Sequence, residues 1–264
     1  MRDILNDAEK AARESPEALA QKHSKPALPK RFYKQAMAGP VEAGGFGVLL
    51  DGRPVRTPAK SILAMPTEAG ARLISEEFDA QTDVIDPAKM PVTRLANTAI
   101  DGVANDPQSV FEDILRFAAS DLLFYRAGSP ERLIELQAEA WDPVLDLIRD
   151  NYGAQFVLAE GVMHVEQPRT AIAAIGAALR PHEHPDALAS IHSMTALMGS
   201  ALLALSVANS HISADRAWSA AHVDEDWNIS QWGEDSEAAK RRAFRHADMT
   251  AAVALLDAVR EDSA

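Results

Sequence analysis

Residues 224–237, Asp-Glu-Asp-Trp-Asn-Ile-Ser-Gln-Trp-Gly-Glu-Asp-Ser-Glu, set two tryptophans among carboxylates near the end of an alanine-rich half. At helical spacing Trp218, His222, Glu225, Ile229 and Trp232 share one stripe, which puts Glu225 in the middle of a largely apolar face. A buried carboxylate is costly unless it is paired or hydrogen-bonded. Glu225 must then be satisfied either within the fold or by a partner. Two chemistries fit this cluster. Asp224, Glu225, Asp226, Glu234 and Asp235 could supply a general acid–base pair to a small-molecule enzyme. Alternatively Glu225, Asp224, Trp227, Trp232 and Glu234 form a partner-binding surface, with aromatic anchors ringed by acids. Trp218 is a third anchor or a core residue.

Other catalytic signatures are absent. Gly44-Gly45-Phe46-Gly47 lacks the Gly-Lys-Ser/Thr ending that holds phosphates and is better read as a hairpin entry. His182-Glu183-His184 has alternate imidazoles between prolines but no third ligand at useful spacing, so no metal is expected. Ser200 lacks the second glycine of a nucleophile elbow and lies in an apolar helical run. With no cysteine there is no thiol nucleophile, thiolate site or disulfide. No cofactor is expected.

Charge narrows the partners. The 264-residue chain carries 39 acids against 26 bases, a formal net charge of −13, which repels nucleic-acid backbones and anionic lipid. Neither nucleic acid nor membrane is an expected partner. The basic run Lys240-Arg241-Arg242 with Arg245 reads as a solvated helix face. The apolar run Ala187–Ala208 contains several Ser and Thr and no flanking Lys or Arg, so it reads as one central buried helix rather than a membrane span. The opening Met-Arg-Asp-Ile-Leu-Asn-Asp-Ala-Glu has no apolar h-region and carries acids, which argues against a secretory signal or a transit peptide.

The elements that must position these residues fall into three stretches: a polar arm at 1–29, an α+β domain at 30–104, and an all-α helical bundle at 105–264. In the second stretch, Asp51-Gly52 between apolar runs predicts a hairpin. Arg31-Phe-Tyr-Lys reads as a preceding strand and Ser61-Ile-Leu-Ala-Met as a following one. Thr67 caps a helix running to Gln81. Beyond Asp101 the period becomes helical. Asp106-Pro107 opens one helix, and Ser129-Pro130-Glu131 opens another that Pro143 interrupts or kinks. A short extended piece over 156–165 crosses back toward the sheet. Helices follow at about 168–180, 186–209, 213–232 and 234–260. Asp121, Gln137 and Asp248 each sit on an apolar face, and for Asp121 and Asp248 an interior network with Arg126 or Arg245 is expected.

The ordered motifs resemble the assembly chaperones of the F-type ATP synthase that serve the α subunit of F1. The resemblance rests on Lys30-Arg-Phe-Tyr-Lys34, Leu50-Asp-Gly-Arg53 with Thr57-Pro58, Glu76-Glu-Phe-Asp-Ala-Gln81, Asp86-Pro87 and Met90-Pro91. It continues through Thr98-Ala-Ile-Asp101, Asp121-Leu-Leu with Tyr125-Arg126, Gln137 with Trp141-Asp-Pro143, Gly199-Ser200, and Asp224-Glu225 with Trp232-Gly233. Phe78 stands where the family usually has tryptophan, and Trp227-Asn228 where it has an aromatic–glutamine pair. The resemblance implies a non-catalytic, ATP-independent holder of the free F1 α subunit, which keeps it from aggregating until β replaces it. It implies an acidic functional residue near the Trp-Gly motif, carried first to Glu225, and a chain of the bacterial cytoplasm whose eukaryotic relatives occupy the mitochondrial matrix. A monomer is expected.

Overall fold

The computed structural model describes residues 28–161 and 163–260, so the expected arm lies outside the described residues except for Leu28 and Pro29. The described chain divides into two units. The first joins 28–32 to Gln81–Asp86. Here Ile85 N donates to Pro29 O (2.8 Å), Arg31 N donates to Asp83 O (3.0 Å), and Lys30 bridges Val84. The expected strand at Arg31-Phe-Tyr-Lys is thus corrected: only a lone bridge forms. Phe32 is exposed and Tyr33 buried. Tyr33 is held by its hydroxyl on Phe78 O (2.6 Å) and by an edge-on ring contact with Phe78, not by a ladder.

The second unit contains the sheet and the helices. β1 (Ala36–Pro40) and β2 (Phe46–Leu50) pair antiparallel, with Ala36 opposite Leu50. β3 (Arg53–Pro54) and β4 (Ala64–Met65) both pair with β2, at opposite ends of it. The hairpin forms at Asp51-Gly52 as expected. Both residues have positive φ (47° and 81°), and the Asp51 carboxylate accepts from the amides of Lys34 and Gln35.

Helix α1 (Glu68–Asp79) starts where expected: Thr67 Oγ1 accepts from Gly70 N and also donates to Ala258 O near the chain's end. Helix α2 (Pro91–Asp101) was not expected. Its N-terminus is capped from α1, since the Glu77 carboxylate accepts from Val92 N (2.8 Å), Thr93 N (2.7 Å) and Thr93 Oγ1 (2.6 Å). Burial raises the Glu77 carboxyl and these bonds oppose it.

Helix α3 (Pro107–Ala119) begins at the Asp106 cap. Strand β5 (Tyr125–Arg126) precedes α4 (Glu131–Tyr152). Pro143 neither breaks nor ends α4; Pro143 and Glu139, whose carbonyl the ring deprives of a donor, lie on the exposed face where water can serve. Strand β6 (Ala159–Glu160) pairs parallel with β5, so this piece forms a separate two-stranded sheet instead of rejoining β1–β4.

Helices α5 (Arg169–Leu179), α6 (Pro185–Met198) and α7 (Ala201–Ala208) follow. The single helix expected across Ala187–Ala208 is two, because Gly199 adopts the left-handed conformation (φ 68°), which ends α6, and Ser200 caps α7. All eight residues of α7 are buried. No described helix is long and apolar enough to cross a membrane. Beneath this break lies Asp121, fully buried. Its carboxylate accepts from Leu202 N (3.0 Å), Ser200 Oγ (3.0 Å) and Leu123 N (3.2 Å). Backbone and hydroxyl donors satisfy Asp121, not Arg126; Arg126 instead donates to Leu123 O and approaches Asp142 at 2.8 Å. Asp248 pairs with Arg94 rather than Arg245.

The segment expected as one helix over 213–232 is also two: α8 (Ala214–Ala221) and α9 (Val223–Trp232). Last comes α10 (Ser236–Arg260), which packs along α6 and against α1 and α2.

Candidate partner-binding site

The break at His222 decides how the tryptophans are used. His222 serves as C-cap of α8 and N-cap of α9, with φ −114° and ψ 16°, so the expected stripe does not continue through it. Before the break, Trp218 is 7% exposed, with its ring 4.1 Å from that of His222 and 5.0 Å from that of His246. It is core, not an anchor. The His222 Nδ1–H donates to Trp218 O (2.7 Å), and burial lowers the His222 pKa. After the break no residue of α9 is buried, the only such α-helix among the described residues. Glu225 is accordingly not buried in a stripe: its side chain is 39% exposed, with one oxygen 3.9 Å from His222 Nε2.

The five expected site residues divide by their surroundings. Asp224 accepts from Gln137 Nε2 (2.7 Å), while Gln137 Oε1 accepts from Ala127 N (2.8 Å), so buried Gln137 ties α9 to α4 and to the turn before it. Trp227 is half-buried and lines a groove of about 580 Å³ between α4, α8 and α9. Trp232, at the far end of α9, is 87% exposed. Gly233 (φ 85°) and exposed Glu234 lead into α10. Between them Asp226 pairs with Arg242. Asp226 foremost, with Glu225 and Glu234 adding field, raises the pKa of that guanidinium.

The basic run lies on an exposed face as expected, with Arg242 alone half-buried. Arg242 is engaged by Asp226, Arg245 donates to Leu197 O, and Lys240 pairs with Glu237. The acids considered for catalysis are likewise dispersed: Asp224 serves Gln137, Asp226 serves Arg242, and Asp235 accepts from Ala238 N at the start of α10 (2.7 Å). His182 meets Asn209 and His184 meets Asp186, and no described cluster of three or more His, Asp or Glu is placed to hold a metal.

The groove was not expected from sequence. Its apolar lining is Leu136 and Ala140 on α4, Ala220 on α8, and Val223 and Trp227 on α9, with Arg216 at the rim. The signal was present as three i, i+4 pairs: Leu136/Ala140, Arg216/Ala220 and Val223/Trp227. Nothing in the chain order says that the three pairs face one another.

Comparison with known proteins gives this surface a context. The family described as "ATP12 chaperone protein" matches residues 30–149. A mitochondrial protein of Schizosaccharomyces pombe, "Protein atp12, mitochondrial", is 26% identical over 141 residues, and the chain spans about half the length (48%) of that curated relative. Among solved structures, the Atu1473 protein of Agrobacterium tumefaciens is 53% identical, with 98% of this chain and 97% of that one covered and a TM-score of 0.86. Atp12 of Paracoccus denitrificans is 37% identical, with 88% of this chain and 99% of that one covered and a TM-score of 0.81. Sharing both fold and more than a third of its residues with the whole of that bacterial Atp12, the chain belongs to the ATP12 chaperone family.

Proposed function

We propose that this protein is a non-catalytic, ATP-independent holder of the free F1 α subunit during assembly of the ATP synthase, acting in the bacterial cytoplasm. The observation that carries the reading is α9, a ten-residue helix with two tryptophans and no buried residue. Large rings left uncovered in water favour a partner that covers them. An unassembled subunit exposes apolar interface, so a holder needs apolar anchors with a charged rim. Family membership and the ordered motifs direct the choice of client. In this reading Trp227 and Trp232 are the anchors, and Glu225, Asp224 and Glu234 supply the acidic rim, with Glu225 foremost. The formal charge of −13 keeps the holder itself soluble while it carries an aggregating client.

The test is co-purification with the F1 α subunit of the same organism, following light scattering of α alone and adding β as competitor. A one-to-one soluble complex with α that β displaces is the expected result. Aggregation of α regardless of the holder would overturn the reading. Glu225→Lys, made at a half-exposed site, should melt near the wild-type temperature and fail to keep α soluble. If that variant unfolds, Glu225 is a structural residue and its client role falls.

A further inference from the structure

The groove beside Trp227 makes a demand on the client that the acids of α9 do not. Its floor is apolar: Leu136, Ala140, Ala220, Val223 and Trp227 converge from three helices. The charged groups around it differ in whether they are already used. Arg132 pairs with Glu135 (2.9 Å) and lies 3.9 Å from Glu139, and Asp226 pairs with Arg242. Arg216 is exposed, and its guanidinium has no hydrogen bond or ion pair among the described residues. Only its backbone amide is used, by Ser213 Oγ at the α8 cap. Among the described residues, Arg216 is thus the one charged side chain of the groove with no ion pair, a cation in a protein whose overall charge is −13.

We propose that this groove takes a client segment presenting a large apolar side chain with a carboxylate within about one helical turn of it: the apolar group against Trp227, the carboxylate on Arg216. This rests on the proposed role as a holder and names the chemistry of what is held. Apolar insertion into the floor releases water from both surfaces and supplies most of the affinity. The guanidinium offers paired N–H donors in a planar fork that matches a carboxylate. Such a pairing at the rim selects register and partner more than it adds affinity. A basic segment is rejected there, while the acids of α9 receive basic groups of the client elsewhere. Two contacts of opposite sign then orient the client on the holder, which neither contact alone can do.

The experiment measures α binding by the full-length wild-type protein, by Arg216→Glu and Arg216→Lys, and by Trp227→Ala. The exposed Arg216 side chain makes no hydrogen bond or ion pair among the described residues, so both of its variants should melt with the wild type. Arg216→Glu should weaken binding of α about tenfold or more, Arg216→Lys only about two- to threefold, and Trp227→Ala by about tenfold or more. If wild type holds α and both Arg216→Glu and Trp227→Ala bind it equally well, the groove is not the docking site and the holder role stands. Should Trp227→Ala fail to fold, unchanged binding by Arg216→Glu alone removes the carboxylate contact and overturns the proposal. Failure of the wild type to hold α overturns the holder role and this inference together.

Discussion

Helices α8 and α9 adjoin at a single residue, His222, yet they are opposite in character. In α8 Ala217, Trp218 and Ala220 are buried, and Ala220 O accepts from the indole N–H of fully buried Trp141 (2.7 Å). In α9 nothing is buried, though its sequence carries two tryptophans to the one of α8. The difference lies in what each helix faces: α8 sits among α4, α6, α7 and α10, whereas α9 lies mainly along α4. Apolar side chains become core only where neighbours close around them. Two tryptophans fourteen residues apart are thus a structural post, Trp218, and a free hand, Trp232.

The largest break in that comparison is Trp218→Ala. Removing a buried indole whose ring lies 4.1 Å from that of His222 should cost about 3–5 kcal/mol in urea unfolding. A loss below about 1 kcal/mol would show that the α8 side is not core.

Asp121 is the next. Asp121→Ala strands the buried donors of Leu123, Leu202 and Ser200 and should cost about 3 kcal/mol. Its titration sharpens the test. Burial pushes the Asp121 carboxyl up to about 6, from the ordinary aspartate value of 3.8. A raised folded pKa means that the fold favours the protonated form. The stability contribution is complete below about pH 4 and is lost as pH rises through about 6. Measured against Asp121→Asn, which cannot titrate, wild type should lose relative stability across that interval. A flat difference from pH 4 to pH 7 would mean that the three hydrogen bonds outweigh burial.

A smaller effect is expected from Gln137→Ala, which frees Asp224 and leaves Ala127 N without its acceptor, for about 1–2 kcal/mol. Its signature is local: amide exchange in α9 should speed up while α7 stays protected. Equal loosening of both helices would deny that Gln137 is the tether of α9. At the far end of the scale, Trp232→Ala should change stability by less than about 0.5 kcal/mol because the ring is already in water. The same variant should hold α poorly. Destabilisation by more than about 1 kcal/mol would place Trp232 against its own protein instead.

Some of this was legible because it is local. Thr67 before α1, Asp51-Gly52 at the hairpin and Asp106-Pro107 before α3 work through their own backbone and nearest neighbours, so chain order suffices. Helix α2 was hidden because its cap is a side chain from another helix, Glu77, fourteen residues before Pro91. The Gly199 break was hidden inside a long, mostly apolar run that reads as one helix. Its partner, Asp121, lies 81 residues from the Leu202 amide it accepts from. For the candidate site, sequence marked Asp224, Glu225, Trp227, Trp232 and Glu234 as unusual company, but it put Trp218, Glu225 and Trp232 on one face. One non-helical residue, His222, separates Trp218 from the other two, which stay together on α9.

The sequence by itself determined the class of the fold, the local caps at Thr67 and Asp106, the turn at Asp51-Gly52, and the family to which the chain belongs, because these depend on residue identity and short-range spacing. Only the tertiary structure decided which tryptophan is core, which acid is tethered, and that three helices leave a groove beside Trp227 with Arg216 uncommitted at its rim. Burial and pairing are properties of what surrounds a residue. Here the surroundings of α9 come largely from α4, whose Gln137 lies 87 residues before the Asp224 it holds.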